Sequence, residues 1–263
     1  DLKAQGKDIL SFSAGEPDFD TPKIIKDEAM RAINSGFTKY TQVAGINELL
    51  VAISNKLKNE NNLDYEPNEI IVSNGAKHSL FNVFAALVDS GDEVIIPSPY
   101  WVTYPELVRY FGGKSIFIQT DEDNDFKINA SQLRAAITPK TKMLVLTSPS
   151  NPTGMVYSKD ELLSLYEVLK DTDIIVVSDE IYERLVYDNI SFTSAGSINS
   201  DMLNRTITIN GLSKAVAMTG WRMGYAASKD KTLIKMLNNL QSQSTSNINS
   251  ITQKASVFGL NGD

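Results

Sequence analysis

Hydrophobic positions along this chain change rhythm near residue 69. Before that point the punctuation is helical. Thr21-Pro22 reads as a helix start, the helix runs to about Ser35, and Gly36 stops it. A second helix is expected over roughly Asn47 to Asn59. From Glu69 onward, short continuous apolar runs take over. They are Ile70-Ile71-Val72, Glu93-Val94-Ile95-Ile96, Ser115-Ile116-Phe117-Ile118, Met143-Leu144-Val145-Leu146, Ile174-Ile175-Val176-Val177, Thr206-Ile207-Thr208-Ile209 and Gly224-Tyr225-Ala226-Ala227. Most are β-branched and continuous, the pattern of strands buried on both faces. Helical stretches fit between them at about 76–89, 101–111, 130–137, 159–170 and 230–243. Strands alternating with helices predict an α/β fold, a mostly parallel sheet with helices on both faces.

In such sheets ligands bind outside the carboxyl ends of the strands, so the residues that follow each run are the place to look for chemistry. Ser73-Asn74-Gly75-Ala76-Lys77 follows the first run, and Pro97-Ser98-Pro99-Tyr100-Trp101 the second. Ser148-Pro149-Ser150-Asn151-Pro152-Thr153-Gly154 follows the fourth, Ser178-Asp179-Glu180-Ile181-Tyr182 the fifth, and Asn210-Gly211-Leu212-Ser213-Lys214 the sixth. Polar, ionisable and aromatic residues therefore converge on one edge.

Each has a chemical reading and a plainer one. Lys214, at the mouth of a buried strand, is partly desolvated, which favours a neutral amine able to attack an aldehyde; taken alone, a lysine there is more often a plain surface residue. Asp179 ends a buried run and needs a cationic partner, such as a protonated ring nitrogen; alone it is equally a helix cap. Tyr182 and Asn151 could hydrogen-bond a ring hydroxyl, although Asn151-Pro152-Thr153-Gly154 is also a good turn. Gly75-Ala76-Lys77 opens a helix, where free N–H groups favour an anion, and Arg222 could add a bidentate contact. Trp101 could stack on a flat ring or simply pack. No phosphate loop of the form G-x-x-x-x-G-K-[ST] occurs.

Composition narrows the field. With 25 basic and 32 acidic residues among 263, the net charge of −7 argues against a nucleic-acid partner. The absence of cysteine excludes disulfides, thiolate metal sites and cysteine nucleophiles. His78, the single histidine, reads as structural or surface, so no metal site is expected. No apolar stretch reaches the length of a bilayer span, and the chain reads as cytoplasmic with no membrane partner.

The segment Gly211-Leu212-Ser213-Lys214-Ala215-Val216-Ala217-Met218-Thr219-Gly220-Trp221-Arg222-Met223-Gly224 resembles the lysine-attachment signature of the class I aminotransferases of the aspartate aminotransferase family, and Ser98-Pro99-Tyr100-Trp101-Val102-Thr103-Tyr104-Pro105 resembles its bacterial branch in particular. Asn151-Pro152-Thr153-Gly154, Ser178-Asp179-Glu180-Ile181-Tyr182, Ser13-Ala14-Gly15-Glu16-Pro17-Asp18-Phe19 and Lys39-Tyr40 match further family motifs in order, and the likeness covers essentially the whole chain. It implies the large domain of the fold type I pyridoxal 5'-phosphate-dependent transferases. Lys214 would be the Schiff-base lysine and proton shuttle. Asp179 would pair with the ring nitrogen, Tyr182 and Asn151 would bind the ring hydroxyl, and Trp101 would stack on the ring. Arg222, Ala76 and Lys77, with Gly75 and Ser213 alongside, would hold the phosphate end. Gly15, Trp101, Asn151 and Lys77 would contact substrate. Tyr40 would reach the phosphate of a neighbouring subunit, implying a homodimer with shared sites.

The implied reaction is ping-pong transamination between an acidic amino acid, aspartate or glutamate, and a 2-oxo acid, with prephenate another possible acceptor. A lysine at position 77 is a candidate for either the phosphate or the substrate side-chain carboxylate. Alternatives on the same scaffold are C–S lyase or cyclopropane-carboxylate synthase chemistry, or a non-catalytic regulatory module that binds the cofactor. The expected division is an N-terminal segment, 1–40, packing on a small domain and the dimer partner, and a cofactor-binding large domain, 41–263. A small C-terminal domain, carrying the residue for the substrate α-carboxylate, is expected beyond residue 263.

Overall fold

A computed structural model of the chain describes residues 2, 5–9 and 15–261; Ser13 and Ala14 of the N-terminal motif lie outside them. All seven apolar runs are strands: β1 (Ile70–Asn74), β2 (Glu93–Ser98), β3 (Lys114–Gln119), β4 (Thr141–Thr147), β5 (Ile175–Asp179), β6 (Thr206–Gly211) and β7 (Met223–Ala227). They form one sheet in the order β1-β7-β6-β5-β4-β2-β3. Neighbouring strands are parallel except at β7, which runs antiparallel to both β1 and β6.

Ten α-helices are seen among the described residues: α1 (Lys23–Asn34), α2 (Asn47–Asn61), α3 (Ala76–Leu87), α4 (Thr103–Tyr110), α5 (Ala130–Ala136), α6 (Lys159–Leu169), α7 (Ser200–Arg205), α8 (Leu212–Ala215), α9 (Lys231–Ser244) and α10 (Ser250–Asn261). Layers on both faces explain the continuous apolar strands. On one face Val94, Ile96, Met143, Val145 and Val177 pack with α3, α4 and α9. On the other, Ile95, Leu144, Leu146 and Val176 pack with α6, while Ile70, Val72 and Tyr225 pack with α2 and α10. Each such side chain, fully buried, contributes roughly 1.5–3 kcal/mol. None of the helices is long and apolar enough to cross a membrane among the described residues.

Two expectations change. β3 is an edge strand, paired only with β2 and with Phe117 exposed, so it is not buried on both faces. Helices α7, α8 and α10 join those expected from the sequence. α10 buries Thr252, Gln253, Ala255 and Ser256, a face too polar for hydrophobic periodicity to register. The Gln253 side chain accepts from the Ile46 N–H and donates to the Ile248 carbonyl, which satisfies it inside the core.

Candidate active site

A cavity of about 670 Å³ opens at the carboxyl edge of the parallel strands, lined by residues from six separate segments of chain. β7 runs the other way, so its amino end, not its carboxyl end, reaches this edge. That reversal brings Arg222 into the cavity although it precedes a strand. Ten of the twelve residues singled out from sequence line it: Gly15, Ala76, Lys77, Trp101, Asn151, Asp179, Tyr182, Ser213, Lys214 and Arg222. Gly75 lies directly behind Arg222. Tyr40 is 89 % exposed and outside the lining, where its own chain leaves it free for another molecule. His78 is also outside; its Nδ1 accepts the Asn74 N–H, and burial lowers its pKa, in keeping with a neutral structural imidazole.

Asp179 is the last residue of β5 and is 3 % exposed. Its carboxylate accepts from the Tyr104 hydroxyl at 2.7 Å and the Ile181 N–H at 3.3 Å, and it forms no ion pair among the described residues. Burial outweighs these two donors and pushes its pKa up to about 6. The next residue, Glu180, turns away from the cavity. Its Oε1 accepts from Ser178, Ser194 and the Ala195 N–H, while its own N–H donates to the Ile209 carbonyl. This anchors the turn that carries Asp179 and Tyr182. Burial moves the Glu180 carboxyl up to about 7.

Lys214 lies in the single turn of α8, directly after β6. Burial depresses its pKa, the Arg222 charge adds to the effect, and Glu16 opposes it. Its Nζ donates to the Gly15 carbonyl and sits 5.7 Å from the Tyr182 ring centre. Asn151 Nδ2 donates to the Tyr182 hydroxyl at 3.3 Å. Lys77 Nζ stands 4.8 Å from the Trp101 ring centre.

The remaining wall is built for an anion. α3 starts here, so its first N–H groups have no partner within the helix. Gly75 precedes it with φ 85° and ψ 158°, a region essentially restricted to glycine. A Cβ there would sit 2.3 Å from Arg222 Nη2. Gly224 allows the close approach of β7 to the same turn, because a Cβ on it would lie 2.1 Å from the Ala76 nitrogen. Arg222 itself is left-handed, at φ 58°, and its Nη1 donates to the Thr219 carbonyl at 2.9 Å. The arrangement therefore pairs a deprotonatable amine with a buried carboxylate and a cationic, N–H-rich pocket.

Sequence reasoning missed Tyr104, Ile181, Pro152 and Thr219 among the lining residues. Tyr104 had one available signal, its place in the segment Ser98-Pro99-Tyr100-Trp101-Val102-Thr103-Tyr104-Pro105 that resembles the bacterial branch.

The family described as aminotransferase class I and II matches residues 7–263. The chain is 48% identical over 262 residues to an aspartate aminotransferase of Bacillus subtilis (strain 168), and 51% identical over 263 residues to an aspartate/prephenate aminotransferase of Nitrosomonas europaea. Both alignments cover 100% of this chain and 66% of the relative, so the chain spans about two thirds of their length. Among solved structures, an aspartate aminotransferase from Rhizobium meliloti superposes with a TM-score of 0.96 at 47% identity, over 100% of this chain and 66% of that one. A Thermus thermophilus aspartate aminotransferase with maleate gives 0.95 at 46% identity, over 99% and 67%. On the match across nearly its whole length, the chain belongs to the class I and II aminotransferase family.

Proposed function

We propose that this chain forms the cofactor-holding part of a pyridoxal-phosphate-dependent aminotransferase for acidic amino acids. The observation that carries this reading is one cavity with the Lys214 amine and the cation-less, buried Asp179 carboxylate both on its walls. Its volume is within the usual range for small-molecule sites. The residues fit the cofactor. Asp179 would hold the protonated ring nitrogen, Tyr182 and Asn151 the ring hydroxyl, and Trp101 the ring face. The α3 start, with Gly75, Ala76, Lys77, Ser213 and Arg222, would hold the phosphate.

When bound, pyridoxal phosphate supplies an electron sink for carbanion chemistry at the amino acid. The protein's part is positional and acid–base. Burial shifts Lys214 toward its neutral form, in which its amine can attack a carbonyl carbon and, once free, take the proton from the substrate Cα. Gly15 would meet the substrate through its backbone. Lys77, beside Trp101, is the alternative candidate for a carboxylate on the substrate side chain instead of the phosphate, and maleate, the dicarboxylate that accompanies the Thermus relative, fits an acidic substrate. The names of the relatives favour transamination over elimination, ring-forming or regulatory readings. The expected setting is a cytoplasmic homodimer; the exposure of Tyr40 supports a role in a second subunit's site. The segment 1–40 would pack on a small domain, which would supply the residue for the substrate α-carboxylate.

The test begins with the purified chain and pyridoxal phosphate. Visible absorbance should appear, and borohydride reduction followed by peptide mapping should place the label on Lys214. Aspartate should then bleach that band, and 2-oxoglutarate restore it. A folded chain that gives no label, or a label elsewhere, would sink the reading.

A second expectation concerns the phosphate wall. G75A forces an unfavourable backbone conformation, worth about 1–3 kcal/mol, and drives its new methyl into Arg222. The guanidinium must leave its place, so affinity for pyridoxal phosphate should fall by about tenfold or more. Affinity for pyridoxal without the phosphate should change little. Equal losses for the two compounds would argue against a phosphate role for this wall.

A further inference from the structure

We infer that Tyr104 is a positioning residue that locks the Asp179 carboxylate and the Trp101 ring into one rigid frame for a flat cationic ring. The role rests on the functional reading above and deepens it. Tyr104 is 1 % exposed, on the first turn of α4, and it lines the cavity. Its hydroxyl lies 2.7 Å from Asp179 Oδ2 and 2.8 Å from Thr147 Oγ1.

The hydrogen-bond direction follows from counting protons. A carboxylate only accepts, so Tyr104 must donate to Asp179. A phenol has one proton, so the contact with Thr147 must be a donation from the threonine hydroxyl. The result is a one-way chain, Thr147 to Tyr104 to Asp179, in which every donor points toward the carboxylate. Burial and the neighbouring Asp179 charge push the tyrosine pKa well above its ordinary value, so its proton stays in place.

The sheet fixes this chain of donors. Thr147 and Asp179 are register partners at the ends of the parallel strands β4 and β5. Tyr104 arrives from a helix and closes the pair into a triangle. Its ring also meets Trp101 edge-on, at 5.4 Å between centres and 82° between planes. One side chain therefore ties the group proposed to stack on the ring to the group proposed to hold its nitrogen. Donation from Tyr104 also restrains the upward shift of the Asp179 carboxyl, which favours the charged form that a ring cation requires.

The experiment is a double-mutant cycle on the full chain, reading pyridoxal phosphate affinity by absorbance titration and ring orientation by the circular dichroism of the bound cofactor. Y104F keeps the ring against Trp101 and removes only the hydroxyl. It should weaken binding by about tenfold and reduce the induced dichroism. In a D179N background the same change should have a much smaller further effect, because the asparagine still accepts the bond but carries no charge for it to hold against a ring cation. T147V should weaken binding in the same direction by a smaller factor, and it tests the chain without touching Tyr104 should Y104F fold poorly. Unchanged affinity in both Y104F and T147V, or equal losses from Y104F with and without the aspartate, would overturn the role. Failure of the unsubstituted chain to bind pyridoxal phosphate would instead overturn the functional reading itself, and this role with it.

Discussion

Replacing Lys214 with alanine should abolish borohydride-fixed labelling by pyridoxal phosphate and slow the aspartate half-reaction by roughly 10²–10⁴-fold, the usual range for losing a positioned general base. The expectation follows from where the amine sits. Lys214 is half-withdrawn from solvent in α8, with its pKa lowered by burial against the opposing charge of Glu16, and lowered further by Arg222. Burial therefore shifts the equilibrium toward the free amine relative to a fully solvated lysine. K214R separates the roles of charge and nucleophile. It keeps a cation beside Tyr182, but a guanidinium does not give up its proton, so it should be as inactive as the alanine variant. Non-covalent affinity should fall far less than the rate in both variants, since Arg222, the α3 start and Asp179 remain. Dissociation constants from dialysis and single-turnover rates with aspartate supply the two numbers. A rate within tenfold of the unsubstituted chain would show that another group moves the proton.

Much of this was legible in the chain, for reasons particular residues make clear. The strands could be read because both sheet faces are covered, so runs such as Met143-Leu144-Val145-Leu146 have no polar alternation to confuse them. The cavity residues could be read because a parallel sheet sends each strand end to the same edge, and Asp179, Asn151 and Lys214 each follow a run. Arg222 was found through its motif, and only the reversed direction of β7 explains why a residue before a strand belongs there. Other features depend on contacts distant in sequence. Tyr104 is joined to Asp179 across 75 positions, and nothing local announces that contact. The exposure of β3 depends on its place at the edge, which the order of runs does not reveal. α10 packs a face of small and polar residues, of which Gln253 bonds to the Ile46 N–H just before α2 and Thr252 to the Trp221 carbonyl. A hydrophobic pattern has no means of recording that.

The substitution D179N should make the chain without cofactor more stable at pH 8 while weakening pyridoxal phosphate binding by about 10²-fold or more. The opposite signs come from one buried charge. The Asp179 carboxyl moves from its ordinary 3.8 to about 6 on folding. Below pH 3.8 it is protonated in both states and has no effect. Between 3.8 and 6 the folded chain keeps a proton that the unfolded chain releases, so stability falls as pH rises. Above 6 the full cost of ionising a buried, unpaired carboxyl is present, roughly 3 kcal/mol. Asparagine can still accept from Tyr104 but carries no charge, so it removes that cost. Glu180, pushed up to about 7, adds a loss of the same sign in both chains and cancels from the comparison. Denaturant unfolding at pH 8 and near pH 4.5 should show a gain for D179N that shrinks on acidification. Saturating pyridoxal phosphate should reverse the ranking, because ligand binding stabilises only the chain that holds it well. An instability of D179N at pH 8 would mean that the carboxylate already has a cationic partner in the folded chain. Unaltered cofactor affinity would mean that the ring nitrogen is held elsewhere. If both expected effects appear, the least stable feature of this cavity is also the one that makes it a cofactor site.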